Sequence, residues 1–140
     1  PVSVVRPFSG YGEDQSLDYP FPSFIDRAVR REDPFTIWGD GQQVRDWVHI
    51  SDVVEAVMEM VAEGIDGPVN LCSGVGTSFV DLAELVCASA RYVPELAFEL
   101  GAPQGVRYRV GDPTLMRTFY KLRVGLEEGV ARALAARMAA

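Results

Sequence analysis

Lysine, histidine and cysteine are scarce in this chain of 140 residues, and each shortage excludes a class of protein. Lysine occurs once, at Lys121, and histidine once, at His49, so a metal site built on several histidines is excluded. The two cysteines, Cys72 and Cys87, form no Cys-x-x-Cys pair, which excludes a zinc knuckle and a thioredoxin-like redox motif. We therefore predict no metal site and two buried, reduced thiols.

Long apolar runs are also missing. No stretch approaches the ~18 consecutive apolar residues that a membrane-spanning helix needs. The composition is that of a globular protein, with 48% hydrophobic and 24% charged residues. Because reduced thiols are typical of intracellular proteins, these features favour a cytoplasmic location.

The charge balance is acidic, with 20 Asp and Glu side chains against 13 Lys and Arg and a net charge of -7. Such a surface repels nucleic acid and anionic membranes, so neither is expected as a partner. An anionic ligand would have to be held by a local cluster of arginines. A length of 140 residues suits one ordinary domain, residues 1–140, since domains commonly have about 100–150 residues.

Motifs for catalysis are absent from these 140 residues. No Gly-x-Gly-x-x-Gly turn and no phosphate-binding P-loop is present. A Tyr-x-x-x-Lys dyad is excluded because position 117, four before the only lysine, is Arg117. His49, Ser51 and Asp52 are too close in sequence to form a catalytic triad, so we interpret His49 as a structural histidine. We predict no catalytic residue.

Hydrophobic periodicity predicts an α/β chain of short strands with about five helices. The strands are expected at Pro1–Phe8, which ends in a glycine turn, Thr36–Trp38, Gln43–Ile50, Val69–Cys72, Leu96–Leu100 and Val106–Val110. The helices are expected from Ser23, from an N-cap at Asp52, from Ser78, from an N-cap at Asp112, and from Leu126 to about Met138. Gly39-Asp40-Gly41 and Gly74-Val75-Gly76 are interpreted as turns.

Three arginines are candidates for binding an anion. Arg45 follows a glycine turn, and its planar guanidinium suits two parallel hydrogen bonds to phosphate. Arg107 and Arg109 are two residues apart, so in a strand they would share a face. The alternative is that each forms a surface salt bridge with one of the many carboxylates. Trp38 could likewise stack on a nucleobase or pack in a core or an interface.

The order of motifs resembles one known family. The segments R-P-F-S-G-Y-G from Arg6, I-W-G-D-G-Q-Q-V-R-D-W-V-H-I-S-D-V from Ile37 and V-N-L-C-S-G-V-G-T-S from Val69 resemble the C-terminal portion of the NAD-dependent epimerase/dehydratase family. The later P-Q-G-V-R-Y-R-V-G-D-P-T-L-M and L-E-E-G-V also resemble that family's closing segment. The most specific motif is G-D-G-x-x-x-R-D, and the resemblance extends over essentially the whole chain.

This resemblance implies a two-part enzyme, an extended short-chain dehydrogenase that acts on nucleotide-diphosphate sugars. The N-terminal Rossmann portion would hold NAD or NADP and the Tyr-x-x-x-Lys dyad, and the C-terminal portion would bind the sugar nucleotide. This chain would be the C-terminal substrate-binding portion, lacking the N-terminal dinucleotide-binding unit and binding no dinucleotide alone. Residues 1–12 and 69–72 would supply the last strands of the Rossmann sheet.

The resemblance also implies site residues. Arg45 would contact the substrate diphosphate, Trp38 would pack on the base, and Thr36 would offer backbone contacts. Pro7 and Phe8 would pass close to the nicotinamide of the cofactor, and Asp52 would only cap a helix. The full predicted substrate-binding set is Arg45, Trp38, Thr36, Ser9, Phe21, Arg107 and Arg109.

The chain departs from the family pattern at three positions. Ser9 stands where the family usually has asparagine, Glu13 where it has proline, and Ala102 where a second phosphate-binding cation is common. Either Arg107 or Arg109 could replace that cation. The sugar and the nucleotide, and the choice between epimerase, dehydratase and reductase, therefore stay open.

Two alternatives remain. The chain could be a stand-alone, non-catalytic nucleotide-binding module derived from this fold. It could also be an interaction protein whose oligomer surface contains Trp38, Phe21 and the aromatic loop from Tyr19 to Phe24. In the lone chain the strands at Pro1–Phe8 and Val69–Cys72 would expose apolar edges, so we predict self-association.

Overall fold

Short strands and helices alternate along residues 2–140, which are the residues that the computed structural model describes. The four α-helices are α1 Pro20–Val29, α2 Ile50–Ala62, α3 Phe79–Ser89 and α4 Leu126–Ala139. The strands are β1 Ser3–Pro7, β2 Ser9–Tyr11, β3 Phe35–Trp38, β4 Val44–Arg45, β5 Trp47–His49, β6 Gly67–Leu71, β7 Thr77–Ser78, β8 Leu96–Glu99 and β9 Tyr108–Arg109. The predicted α/β class is confirmed, with a 3-10 helix, Met116–Thr118, in place of a fifth α-helix.

The strands pair mainly in parallel. β1 pairs with β6, β2 with β5 and β3 with β8, each in parallel, and β4 lies between antiparallel β7 and parallel β9. Parallel partners need a long connection, usually a helix, which explains why helices separate the paired strands. The two segments expected in one parallel sheet, Pro1–Phe8 and Val69–Cys72, contain β1 and β6, which pair with each other in parallel; Pro1 lies outside the described residues.

The larger of two apolar cores is surrounded by α1, α3 and α4. Aromatic rings dominate it: Phe24 meets Phe35 edge to face at 5.2 Å, and Tyr11 lies 4.2 Å from Phe21. Between α1 and α4, the carboxylate of Asp26 accepts two hydrogen bonds from the Arg137 guanidinium. The larger core is thus enclosed by α1, α3 and α4.

The smaller core lies between α2 and β6. Its buried residues are Ala56, Met60, Val69, Leu71, Met116 and Tyr120. On its outer side the apolar residues of β1 and α2 are exposed, including Val4, Val5, Val54, Met58 and Val61. β1 pairs with β6 along one edge only, so its other edge has no strand partner within residues 2–140.

The expected N-cap at Asp52 is wrong. The N-cap of α2 lies three residues earlier, at His49, whose Nδ1 accepts from the Ser51 backbone N–H at 3.2 Å. Asp52 is buried and accepts hydrogen bonds from Arg123 N–H at 2.8 Å and Val124 N–H at 3.0 Å. Its carboxylate therefore holds the segment that leads into α4.

Other boundaries also differ from the prediction, and the expected strand Gln43–Ile50 is divided into β4 and β5, with Ile50 in α2. α1 begins at Pro20, not Ser23, because proline suits the first helical position. Ser9–Tyr11 is a strand and not a turn, since it pairs with β5. Asp112 accepts from the Thr114 N–H at 2.9 Å and closes a turn, so it does not cap an α-helix.

No helix within the described part of the chain is both long and apolar enough to cross a membrane.

Candidate functional site

A cleft of about 690 Å³ lies beside the larger core. Its walls come from β2, the loop that leads into α1, the ends of β3 and β4, and the segment 103–109. Of the predicted site residues, those that line it are Phe8, Ser9, Phe21, Trp38, Arg45 and Arg109. Pro7, Thr36 and Arg107 are outside it.

Arg45 lines this cleft and is buried, with 8% of the residue exposed. Its Nη1 donates to the Val44 carbonyl at 2.8 Å, its Nη2 donates to Gln43 Oε1 at 3.2 Å, and its charge lies 5.5 Å from the Phe79 ring. Within residues 2–140 no carboxylate forms a salt bridge with Arg45. A buried charge normally has an ionic partner, and an anion in the cleft would supply one.

Arg109 places a second charge beside the first. β4 and β9 align Arg45 with Arg109 in register, and Arg109 Nη2 donates to Ser9 Oγ at 3.4 Å. Burial, and then the nearby Arg109 charge, lower the pKa of Arg45 from its usual range. A bound anion would relieve both effects.

Arg107 does not share this role. It projects away from the cleft and pairs with Asp40, with Nη1 3.0 Å from Oδ2. A hydrogen bond from the Gln42 backbone N–H, followed by the Arg107 contact, lowers the pKa of Asp40 from its usual value. Arg107 and Arg109 therefore do not meet in one site: Arg107 pairs with Asp40, as its salt-bridge alternative predicted, and only Arg109 lines the cleft.

Asp46 holds the two arginine-bearing strands in place. Its fully buried carboxylate accepts from Ser73 N–H at 2.7 Å, Gly74 N–H at 2.9 Å and Gly111 N–H at 3.2 Å. Asp46 directly follows Arg45, and Gly111 lies two residues after Arg109. The carboxylate thus ties together the segments that position both cations.

Trp38 is half exposed at the end of β3, with 51% of its surface accessible at the rim of the cleft. The turn beyond it requires glycine at two positions, since Gly39 and Gly41 have φ of +75° and +71°. A Cβ on Gly41 would lie 2.4 Å from Val80 Cγ2, so the backbone here must approach α3 closely. The ring of Trp38 is thus available to a flat ligand group.

Thr36 and Phe21 lie differently from their expected positions. The Thr36 carbonyl accepts a hydrogen bond from the Arg27 guanidinium, so it is already occupied. Phe21 borders the cleft but is completely buried, packed against Tyr11 and Trp47. Its ring supports the wall, which also removes Phe21 from any exposed oligomer surface.

The residues present do not form a dinucleotide cradle. Gly39-Asp40-Gly41 leads into strand β4 and not into a helix. Gly74-Val75-Gly76 precedes α3, but the N-terminus of α3 is occupied by its own capping box, in which Ser78 Oγ accepts from Asp81 N–H at 3.0 Å and Asp81 Oδ2 accepts from Ser78 N–H at 3.3 Å. An anionic pyrophosphate would meet a carboxylate there. Of the two residues expected near the cofactor, Phe8 lines the cleft.

His49 is a structural histidine. It is buried, its Nδ1 accepts from Ser51 N–H, and its Nε2 lies 3.3 Å from Glu13 Oε1. Across residues 2–140 no three His, Cys, Asp or Glu side chains cluster so as to hold a metal ion.

Sequence reasoning missed Gln15, Gln43 and Trp47, which line the cleft, and Asp46, which lies behind it and binds the Ser73 backbone. Asp46 and Trp47 directly follow Arg45 in the R-D-W motif, and that adjacency was an available signal. Gln15 and Gln43 gave none, because a single amide side chain is common on any surface.

The fold is an α/β unit whose cleft holds one buried arginine, Arg45, next to an exposed one, Arg109. Residues 1–72 match the model of the NAD dependent epimerase/dehydratase family. The chain belongs to this family, as its motifs predicted.

Similar proteins include the dTDP-4-dehydro-6-deoxy-D-allose reductase of Streptomyces bikiniensis, 32% identical over 136 residues. That match covers 91% of this chain and 41% of the reductase. Thus the chain spans well under half the length of this relative.

Solved structures give the same fold. UDP-glucose 4-epimerase from Thermotoga maritima, determined with UDP-glucose, is 27% identical and superposes with a TM-score of 0.85, covering 96% of this chain and 45% of the epimerase. UDP-glucose 4-epimerase from Thermus thermophilus, in complex with NAD, is 23% identical with a TM-score of 0.84, covering 96% and 46%.

Proposed function

We propose that this chain binds a nucleotide-diphosphate sugar as the substrate-binding portion, residues 1–140, of an NAD(P)-dependent epimerase, dehydratase or reductase. The observation that carries the proposal is the buried guanidinium of Arg45, which has no carboxylate partner within residues 2–140 and lies beside Arg109 in the cleft. Two guanidinium groups side by side suit a diphosphate, which carries two adjacent sets of acceptor oxygens.

The rest of the cleft provides for the other parts of such a ligand. Trp38 offers an exposed indole face at the rim, where a nucleobase can stack. Ser9, already in contact with Arg109, lies on the β2 side and suits the junction between diphosphate and sugar. Thr36 and Arg107 have no part in this proposal.

The cofactor would be held elsewhere. NAD or NADP would supply hydride transfer, and the glycine cradle for it must come from protein outside these 140 residues. Phe8 at the open side of the cleft is the residue of this chain placed to touch the nicotinamide portion; Pro7 lies outside the cleft.

The apolar face of β1 and α2 supports this division. Val4 and Val5 on β1, with Val54 and Met58 on α2, form an exposed apolar surface next to an unpaired strand edge. Such a surface is typical of a sheet that continues into further strands. We propose that the dinucleotide-binding portion covers it, and that the chain self-associates through it when that portion is absent.

Calorimetric titration of the chain with UDP, dTDP and GDP tests the binding proposal. We expect at least one to bind, and Arg109→Ala to weaken that binding by about 10- to 150-fold, equivalent to about 1.5–3 kcal/mol for a charged hydrogen bond. The matched control is Arg107→Ala, which removes an arginine two residues away that does not face the cleft. Absence of binding by the unsubstituted chain, or equal losses in the two variants, would contradict the proposal.

A second candidate is a nucleotide-diphosphate-binding module that works without catalysis, favoured by the completeness of the cleft cations within this chain. The reading frame upstream of Pro1 distinguishes the two. An in-frame Gly-x-x-Gly-x-x-Gly and Tyr-x-x-x-Lys would support the enzyme, and a start signal immediately before Pro1 would support the module.

A further inference from the structure

The groups that hold the Arg45 guanidinium in place are electrically neutral. Nη2 donates to Gln43 Oε1 at 3.2 Å, and Nη1 donates to the Val44 carbonyl at 2.8 Å. The Cζ atom lies 5.5 Å from the centroid of the Phe79 ring. No carboxylate within residues 2–140 forms a salt bridge with Arg45. These contacts fix the side chain and leave its positive charge uncompensated.

Gln43 supplies the hydrogen bond that comes from a second side chain. The residue is buried, with 4% of its surface exposed, and it lines the cleft together with Arg45. Because a guanidinium group only donates hydrogen bonds, the amide oxygen and not the amide nitrogen must face it. The bond therefore fixes the orientation of both side chains.

The backbone of Gln43 also holds the surroundings of Arg45. Its carbonyl accepts from the N–H of Phe79, the first residue of α3, at 3.0 Å. The ring of Phe79 is the one that lies against Arg45, and it belongs to the larger core. Gly105 lies close to both polar side chains, since a Cβ on it would be 3.4 Å from Arg45 Nη2 and 4.0 Å from Gln43 Oε1. Gln43 therefore has little space in which to turn away from Arg45.

The neutrality of Gln43 matters because a charged side chain of the same shape exists. The substitution Gln43→Glu would keep an acceptor oxygen beside Arg45 Nη2 and add a negative charge. The two side chains would then form a buried ion pair, and the guanidinium would no longer offer an uncompensated charge to an anion. Glutamine provides the acceptor without the charge.

We propose that Gln43 is a positioning residue of the cleft, whose neutral amide orients the Arg45 guanidinium and leaves the positive charge for the diphosphate of the ligand. This inference rests on the proposed function and adds to it a residue that acts through Arg45. A buried cation without an ionic partner costs stability in the unliganded chain, and the bound anion offsets that cost. Providing a permanent ionic partner should therefore lower the affinity without lowering the stability.

The test measures ligand affinity and stability for the same variants. Calorimetry uses whichever of UDP, dTDP and GDP binds the unsubstituted chain most tightly, and urea unfolding is followed without ligand. Gln43→Glu should weaken binding by about 10-fold or more, because the new carboxylate pairs with Arg45 and repels the diphosphate. Its urea midpoint should equal or exceed that of the unsubstituted chain, because the buried cation has gained a partner.

The matched control is Gln42→Glu, the same substitution one residue earlier. It changes the net charge of the chain by the same amount, but Gln42 is exposed. We expect it to change the affinity by no more than about 2-fold and to leave the urea midpoint in place, because exposed charges are screened by water and salt.

A third variant, Gln43→Leu, removes the acceptor without adding a charge. It leaves Arg45 Nη2 without this hydrogen bond, so we expect binding to weaken by about 3- to 10-fold and the urea midpoint to fall. Gln43→Glu and Gln43→Leu should thus both lower the affinity, and only Gln43→Leu should lower the stability.

Two results would overturn the inference. One is binding of the diphosphate by Gln43→Glu as tightly as by Gln42→Glu. The other is a joint loss of affinity and stability in Gln43→Glu, which is the behaviour of a residue that only supports the fold. Failure of every diphosphate to bind the unsubstituted chain would instead overturn the proposed function, and the inference with it.

Discussion

The two apolar cores differ in how completely they are closed. The larger core, beneath the cleft, is enclosed by α1, α3 and α4, with Phe21, Phe35 and Leu82 fully buried. The smaller core has α2 and β6 on one side, but its β1–α2 face exposes Val4, Val54 and Met58. We call the part of the chain around the larger core the closed half. The part around the smaller core, with its exposed β1–α2 face, is the open half.

The candidate ligand cleft and the exposed apolar face lie on different halves of the chain. The cleft cations rest on the closed half, because Arg45 packs on Phe79, a residue of the larger core. The exposed apolar residues belong to the open half, whose strand edge is unpaired within residues 2–140. In the function we propose, the closed half binds the ligand and the open half contacts the dinucleotide-binding portion.

The largest expected effect is in the closed core. Phe35→Ala removes a fully buried ring that meets Phe24 edge to face, so we expect a loss of about 3–5 kcal/mol in the free energy of unfolding. Phe98→Ala on the paired strand β8 is the matched control, since Phe98 is largely exposed. Urea unfolding measures both. Similar losses for the two would mean that the larger core is not closed.

The next effect concerns the link between the halves. Asp46→Ala leaves the backbone N–H groups of Ser73, Gly74 and Gly111 without their acceptor, and we expect a loss of about 3 kcal/mol or more. Asp112→Ala should cost far less, because Asp112 is exposed and its donors can bond to water. Thermal unfolding of the two variants provides the comparison, and equal losses would contradict the role given to Asp46.

Local stability should differ between the halves. We expect backbone amides of β1 and β6 to exchange with deuterium at least tenfold faster than those of β3 and β8, equivalent to about 1.4 kcal/mol in local opening. The physical reason is that the open half has less apolar surface buried around its strands. Hydrogen exchange monitored by mass spectrometry measures this difference. Equal protection of the two pairs of strands would contradict a difference in local stability between the halves.

The smallest effect on stability is expected at the exposed apolar face. Val4→Lys combined with Met58→Lys should change the free energy of unfolding by no more than about 0.5 kcal/mol, since both side chains are exposed. Sedimentation velocity should nevertheless show less self-association. Val93→Lys, at an exposed apolar residue elsewhere, should leave association unchanged. A chain that is monomeric before any substitution would contradict this account of the face.

Local sequence patterns predicted most of the elements but not their partners. The apolar spacing in α2 and the Ser78–Asp81 capping box can be read directly, because both depend on residues within one or two turns. Asp52 was misassigned because its hydrogen-bond partners, Arg123 and Val124, lie about seventy residues away. No periodicity reports a contact of that kind.

In the candidate site, too, local sequence predicted single residues but not which of them come together. Arg45 and Trp38 were recognised from the motif around the glycine turn, and both reach the cleft. The choice between Arg107 and Arg109 needed the structure, since it depends on where β9 begins relative to β4. The spacing of the two arginines favours neither as the second cation of the cleft, and only their register against β4 distinguishes them.

A crystal structure of the chain with a bound nucleoside diphosphate is the most direct test of whether Arg45 and Arg109 form the diphosphate site. We expect the diphosphate oxygens within hydrogen-bond distance of both guanidinium groups, with the base against Trp38. A diphosphate bound elsewhere, for example at Arg107 or on the β1–α2 face, would contradict the account.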